Sequence, residues 1–154
     1  MNIVPLEPNQ TPAALELLIS TIVQSQYYTQ AAKHTEIAEL TAQLEAQPHT
    51  ALVALESDQV LGLVVWSGLE AGLLWLSWIV TAPEARGRGV ALALLDGFHH
   101  FAKVNGVHKT WCDSRIGNIP SQALLEKAGY KVITTLTQHW YGLDYFLWER
   151  LVDS

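Results

Sequence analysis

Six consecutive residues, Arg86-Gly87-Arg88-Gly89-Val90-Ala91, carry the clearest chemical signal in the chain. They follow a hydrophobic stretch that reads as a strand and open a stretch that reads as a helix. The first N–H groups of a helix have no partner within it, and the helix dipole adds partial positive charge there. A phosphate docks on such a turn if the backbone is approachable, which small residues permit. Gly87, Gly89 and Ala91 meet that need, and Arg86 and Arg88 add charge. The same glycines also suit a plain solvated bend. Two other phosphate motifs are excluded. No Gly-Lys-Ser or Gly-Lys-Thr occurs, which removes the NTP-binding loop. A dinucleotide fingerprint needs glycine or alanine at position 92, where Leu92 stands.

The surroundings of the turn narrow the reading. The spacing Arg86-x-x-Gly89-x-Ala91, with Pro83-Glu84 before it and Leu94-Leu95 after it, resembles motif A of the GNAT acetyltransferases. Downstream, Asn118-Ile119-Pro120-Ser121-Gln122-Ala123-Leu124-Leu125-Glu126-Lys127-Ala128-Gly129-Tyr130 resembles that family's second block, which usually ends Glu-Lys-x-Gly-Phe/Tyr. The resemblance implies an acetyl-CoA-dependent N-acetyltransferase that moves the acetyl group directly to a primary amine and releases CoA. The alternative is a module that holds acetyl-CoA without turnover. The resemblance also implies the cofactor residues. Arg86, Gly87, Arg88, Gly89, Val90 and Ala91 would hold the pyrophosphate. The strand end Ile79, Val80 and Thr81 would offer backbone groups to the pantetheine arm. Asn118 and Ser121 would lie near the cofactor, although an asparagine at that point is equally suited to cap a helix.

The catalytic groups are less defined. Many family members place an acidic tyrosine four residues before the terminal Gly-Phe pair, and here that position is Leu125. Leucine donates no proton. Ser121, Tyr130, Asp113 and His139 are the remaining candidates. Tyr130 occupies an aromatic position that favours packing, and Asp113 suits an ion pair with Arg115. His139, on the penultimate strand, is of a residue type suited to base work. Cys112, the lone cysteine, reads as an inert buried thiol. His99 and His100 diverge by about 100° around a helix, no His-x-x-x-His pair occurs, and no metal is expected.

The elements that must position these residues follow from periodicity. Asn2–Leu6 reads as a strand. A helix follows, with Thr11 as N-cap, Pro12 at the first position and Leu15, Leu18, Ile19 and Ile22 inward. A second helix covers Thr35–Ala46, with Ile37, Leu40 and Leu44 inward. Thr50–Glu56 and Gln59–Ser67 form a hairpin around Ser57-Asp58. Ala71–Thr81 is a long strand, and Gly87–Asn105 a helix ended by Gly106. Lys109–Ser114 is a strand, and Ile119–Ala128 a helix closed by Gly129. Lys131–Tyr141 and Asp144–Leu151 form a last hairpin. The fold class is α/β (α+β), a mixed sheet of about seven strands with helices on both faces. The resemblance adds a V-shaped splay between the two central parallel strands, Ala71–Thr81 and Lys109–Ser114. All six tryptophans fall on predicted strands. Trp140 and Tyr141, with Tyr27 and Tyr28, read either as core and dimer contact or as an aromatic acceptor pocket.

Composition bounds the partners. At 154 residues the chain suits one domain, 1–154, and 49% hydrophobic against 16% charged residues argues against disorder. The formal charge of −6 and the lack of a basic stripe argue against nucleic acid. No apolar run approaches the ~20 residues of a membrane helix. The Met1 start shows no signal-peptide pattern, so a cytoplasmic protein is expected. An apolar C-terminal edge makes a homodimer plausible.

Overall fold

The computed structural model describes residues 1–153. Local sequence chemistry builds seven strands and four α-helices. They are β1 (Asn2–Pro5), α1 (Thr11–Gln24), α2 (Gln30–Ala46), β2 (Ala51–Glu56), β3 (Gln59–Glu70), β4 (Leu73–Thr81), α3 (Val90–Val104), β5 (Lys109–Arg115), α4 (Ile119–Lys127), β6 (Lys131–Leu136) and β7 (Tyr145–Leu151). The strands form a mixed sheet in the order β1-β2-β3-β4-β5-β7-β6. Two contact units share β3, β4 and α3: Met1–Val65 with Trp78–Leu94, and Trp66–Ser77 with Leu95 onward.

In the first unit, Ser57 and Asp58 adopt positive φ and close the β2–β3 hairpin. Positive φ at both central residues gives the turn a twist that matches the strands. Alternation then sorts the faces. Ala51, Val53, Leu63 and Val65 point to one side, where they pack with Leu18 and Ile22 of α1 and Leu40 and Leu44 of α2. Gly62 belongs to the opposite face, which the first turn of α3 covers through Val90 and Leu94. Helices therefore cover both faces here, as the pattern predicts. A bulge between Ala54 and Leu55 sits beside Gly62 in the ladder.

Two helix starts differ from the sequence reading. Gln10, not Thr11, is the N-cap of α1, and its side chain makes no capping bond. Thr11 is already helical, and its hydroxyl donates to the Glu7 carbonyl at 3.1 Å. Helix α2 begins at Gln30 rather than Thr35, because the Thr29 hydroxyl accepts from Ala32 N–H. Capping by Thr29 satisfies a donor that periodicity does not register.

In the second unit, β4 and β5 pair in parallel only at Leu73–Trp75 against Lys109–Trp111. Within that unit β5 continues to Arg115, paired along its whole length with antiparallel β7. The pairing of β4 and β5 thus ends at Trp75 and Trp111. Thr110, Cys112, Ser114 and Trp148 form the buried face. Trp148 donates its indole N–H to Ser114 Oγ at 2.8 Å. On α3, Phe98 and Phe101 stack against Trp66. Gly106 and Gly129 end α3 and α4 with positive φ, as expected.

The last hairpin departs from expectation. Strand β6 ends at Leu136, and Trp140–Gly142 is a 3-10 turn. His139, Trp140 and Tyr141 are therefore not strand residues. Gln138 and Tyr141 have positive φ, outside the extended region that strand residues with side chains occupy. The Gln138 N–H is held by the Asp144 carboxylate at 2.8 Å.

A buried polar network ties α3 to the end of α4. The Tyr130 hydroxyl lies 2.8 Å from both Thr110 Oγ1 and His99 Nε2. Burial, and next the Arg150 charge, lowers the His99 pKa from 6.5 to about 3. The folded protein thus holds this proton less well than the unfolded chain. His99 contributes stability above about pH 6.5, and loses it as pH falls toward about 3. Urea unfolding at pH 7.5 and pH 5 is expected to show a loss for the native sequence and a smaller loss for His99→Gln.

Candidate functional site

The glycine turn forms as its residue types require. After β4, Ala82 N–H donates to the Leu61 carbonyl at 2.8 Å, and Pro83–Ala85 make a 3-10 turn. Arg86 is extended, and Gly87 and Gly89 adopt φ of 76° and 77°. Helix α3 begins at Val90, three residues later than the sequence suggests. Both glycines lie in the left-handed region, so the chain cannot be helical there. A side chain added at either would meet nothing within 4 Å. The turn is therefore open to an approaching group, and the start of α3 presents its free N–H groups. These residues fit a diphosphate.

The flanking charges differ. Arg88 pairs with Glu56 at 2.6 Å, with both side chains nearly half exposed. Such a pair contributes little on its own, ~0–1 kcal/mol, and Arg88 can turn to an anion at small cost. Arg86 is exposed. At the end of β4, Val80 is buried while Ile79 and Thr81 are half-buried.

Sequence reading missed Gly62. A Cβ there would lie 2.8 Å from the Val80 carbonyl oxygen, 2.9 Å from Val90 Cγ1 and 3.0 Å from Leu94 Cδ1. Gly62 lets the first turn of α3 sit directly on the sheet, which fixes where the glycine turn ends. A lone glycine inside an apolar strand signals such an approach.

The second unit holds the other candidates. Asn118 caps α4, its side chain accepting from Ser121 N–H at 3.2 Å. Ser121 is half-buried in the first turn, and Leu125 is buried, 3% exposed. The Tyr130 hydroxyl sits in the network with Thr110 and His99, and burial pushes its pKa up. Cys112 is buried, and its thiol is likewise pushed up, first by burial and then by the Asp113 charge. Such a thiol is unreactive.

Asp113 and His139 come together. Asp113 Oδ2 accepts the Trp140 indole N–H at 2.7 Å, and His139 Nε2 lies 3.9 Å from the same oxygen. His139 also meets Trp140 and Tyr145 edge-on. Burial raises the Asp113 pKa, offset in part by the indole hydrogen bond and by His139. Among the described residues, no group of three or more His, Cys, Asp or Glu is placed to hold a metal ion. No helix among them is long and apolar enough to cross a membrane.

The first unit also carries an apolar groove of about 840 Å³ along α1, lined by Pro8, Pro12, Leu15, Ile19, Leu44 and Pro48 with Glu16 and Glu45. None of residues 79–91 lines it. Its volume suits a small ligand, but its chemistry is unconnected with the glycine turn.

A mixed sheet whose fourth strand leads through an open glycine turn into a helix is an arrangement able to receive a phosphate-bearing group. Residues 18–130 match the model of the acetyltransferase (GNAT) family, and the chain belongs to that family. It is an acetyltransferase-family enzyme, and acetyl-CoA is the donor this family uses. No curated protein sequence matches the chain. Solved structures share the fold. Ard1 from Thermoplasma volcanium aligns with a TM-score of 0.79 at 17% identity, covering 99% of this chain and 98% of that one. Ribosomal-protein-alanine N-acetyltransferase from Brucella melitensis gives 0.80 at 21% identity, with 98% and 99% covered. The yncA protein from Salmonella typhimurium, solved with its cofactor acetyl-CoA, gives 0.79 at 17%, with 100% and 95% covered.

Proposed function

We propose that this protein transfers the acetyl group of acetyl-CoA directly to a primary amine of a small molecule or peptide. The observation that carries the reading is the open glycine turn, with Gly87 and Gly89 in positive φ immediately before α3, in a member of this family. In this reading Arg86–Ala91 hold the pyrophosphate through backbone N–H groups and two guanidinium charges. The backbone of Ile79, Val80 and Thr81 meets the amides of the pantetheine arm. Asn118 shapes the start of α4, and Ser121 is the candidate polar contact beside it.

The transfer asks for limited chemistry. The acceptor ammonium gives one proton to a base, the amine nitrogen forms a bond to the thioester carbon, and the C–S bond breaks. The thiolate leaves with the electron pair and takes the second proton from nitrogen or water. Asp113 and His139 are the base candidates. Tyr130 is a packing residue in this reading, because its hydroxyl is occupied and its pKa raised. The buried Leu125 leaves the family's usual acid position without a proton donor, which supports one second reading, a module that binds acetyl-CoA without turnover. A cytoplasmic setting accompanies the proposal. So does a homodimer formed through the edge strand β6, which exposes Val132 and Ile133.

Calorimetric titration with acetyl-CoA, with NADH and ATP as controls, tests the donor site. Binding of acetyl-CoA alone, followed by CoA release with a panel of primary amines, supports the enzyme reading. Binding without CoA release from any amine supports the module. Absence of acetyl-CoA binding removes both.

A further inference from the structure

The connection between β6 and β7 is unusual in three ways. Trp140, a large apolar residue, is 51% exposed. Gln138 and Tyr141 adopt positive φ, at 48° and 57°. Strained non-glycine backbone persists where surrounding contacts hold it, and it concentrates at functional sites. Besides the Gln138 bond to Asp144, two side chains of this connection meet at one carboxylate. Trp140 gives its indole N–H to Asp113 Oδ2, 27 residues away in the chain, and His139 stands 3.9 Å from the same oxygen. Asp113 lies two residues beyond Trp111, the last β5 residue paired with β4. Its side chain shares the half-buried face of β5 with Trp111, opposite the fully buried face of Thr110, Cys112 and Ser114.

We propose that Asp113, His139 and Trp140 form a preassembled subsite that captures the ammonium group of a cationic acceptor. This rests on the acetyltransferase reading above and adds to it the residues that hold the acceptor. A carboxylate has two oxygens and about four acceptor sites, and the indole N–H takes one. The bond also fixes the indole plane, and a half-exposed indole can offer a π-face to a cation. Burial works against the Asp113 charge, and an arriving cation relieves that cost. His139 provides an imidazole within reach of the same group, able to accept a proton when its ring is neutral. Tyr145, in edge contact with His139, completes an aromatic wall. An uncharged acceptor of the same shape gains none of the charge-dependent contacts.

The test uses ¹⁵N-labelled full-length protein and the indole N–H signals of its six tryptophans, with Trp140 assigned by its loss in Trp140→Phe. Phenethylammonium chloride is the probe, and 2-phenylethanol its uncharged counterpart. The Trp140 signal is expected to shift saturably with the amine and to stay in place with the alcohol. Asp113→Asn keeps an oxygen for the indole hydrogen bond and removes the charge, so it should weaken the amine about tenfold or more. No Trp140 shift with the amine, or equal shifts with amine and alcohol, overturns the proposal. Both can be read on the native sequence even if the Asn variant folds poorly. Acetyl-CoA titrated into the same sample separates the two readings. Binding of acetyl-CoA without an amine response sinks only the subsite, whereas loss of acetyl-CoA binding sinks the donor reading.

Discussion

Gly89→Val is expected to weaken acetyl-CoA binding by about 100-fold or more, which corresponds to roughly 2.7 kcal/mol. Gly89 holds φ at 77° immediately before the first residue of α3. A β-branched residue in that region is a genuine outlier, and left-handed backbone costs an L-residue about 1–2 kcal/mol. The chain escapes by rerouting the turn. That moves the N–H groups of Val90 and Ala91, which the donor reading places on the pyrophosphate. Hydrogen bonds to a charged group contribute about 1.5–3 kcal/mol each, so misplacing one or two accounts for the loss. Gly106→Val is the matching control. Gly106 holds φ at 74° and, like Gly89, has no atom within 4 Å of an added Cβ. It stands just past the C-terminal end of the same helix. Both variants should lose similar stability, and only Gly89→Val should lose affinity. Equal affinity losses would assign the effect to folding, and native affinity in Gly89→Val would remove the phosphate assignment.

Gly62→Val is expected to destabilise the fold by about 1–3 kcal/mol, the range for overpacking a filled interior. Two local effects point the other way. Valine favours strands and glycine weakens them. Packing decides the sign. The added Cβ would lie 3.0 Å or less from three atoms, one of them the Val80 backbone carbonyl. A carbonyl within the sheet cannot step aside, so Val90 and Leu94 must shift and lift the start of α3. Thermal unfolding should fall by ~2–4 °C per kcal/mol for a chain of this size. Acetyl-CoA affinity should fall with it, because Val90 both packs on Gly62 and begins the helix. A rise in stability would show that α3 yields easily and that Gly62 does not set its position.

Much of the architecture was legible beforehand because its signals are local. Ser57-Asp58 marks a hairpin, and Gly106 and Gly129 mark helix ends. The misses have local causes as well. Gln30–His34 offers little apolar periodicity, so periodicity places the start of α2 late, while the cap at Thr29 decides its true start. Trp140 and Tyr141 have strand-forming side chains, yet Tyr141 adopts positive φ. The Asp144 carboxylate and the Asp113–Trp140 bond hold that course.

The candidate site divides in the same way. Its glycine turn lies within six consecutive residues whose chemistry is conformational: two glycines for positive φ, a helix start for the N–H groups, and two arginines for charge. Sequence alone determined the conformation of that turn, together with the family, because every requirement is met by near neighbours along the chain. The Tyr130–His99–Thr110 network, the seat of α3 on Gly62 and the Asp113–His139–Trp140 cluster were decided only by tertiary structure. Each joins residues far apart in sequence. Their meeting depends on strand register, on how closely a helix approaches the sheet, and on the path of a strained connection, none of which is a property of any short run of residues.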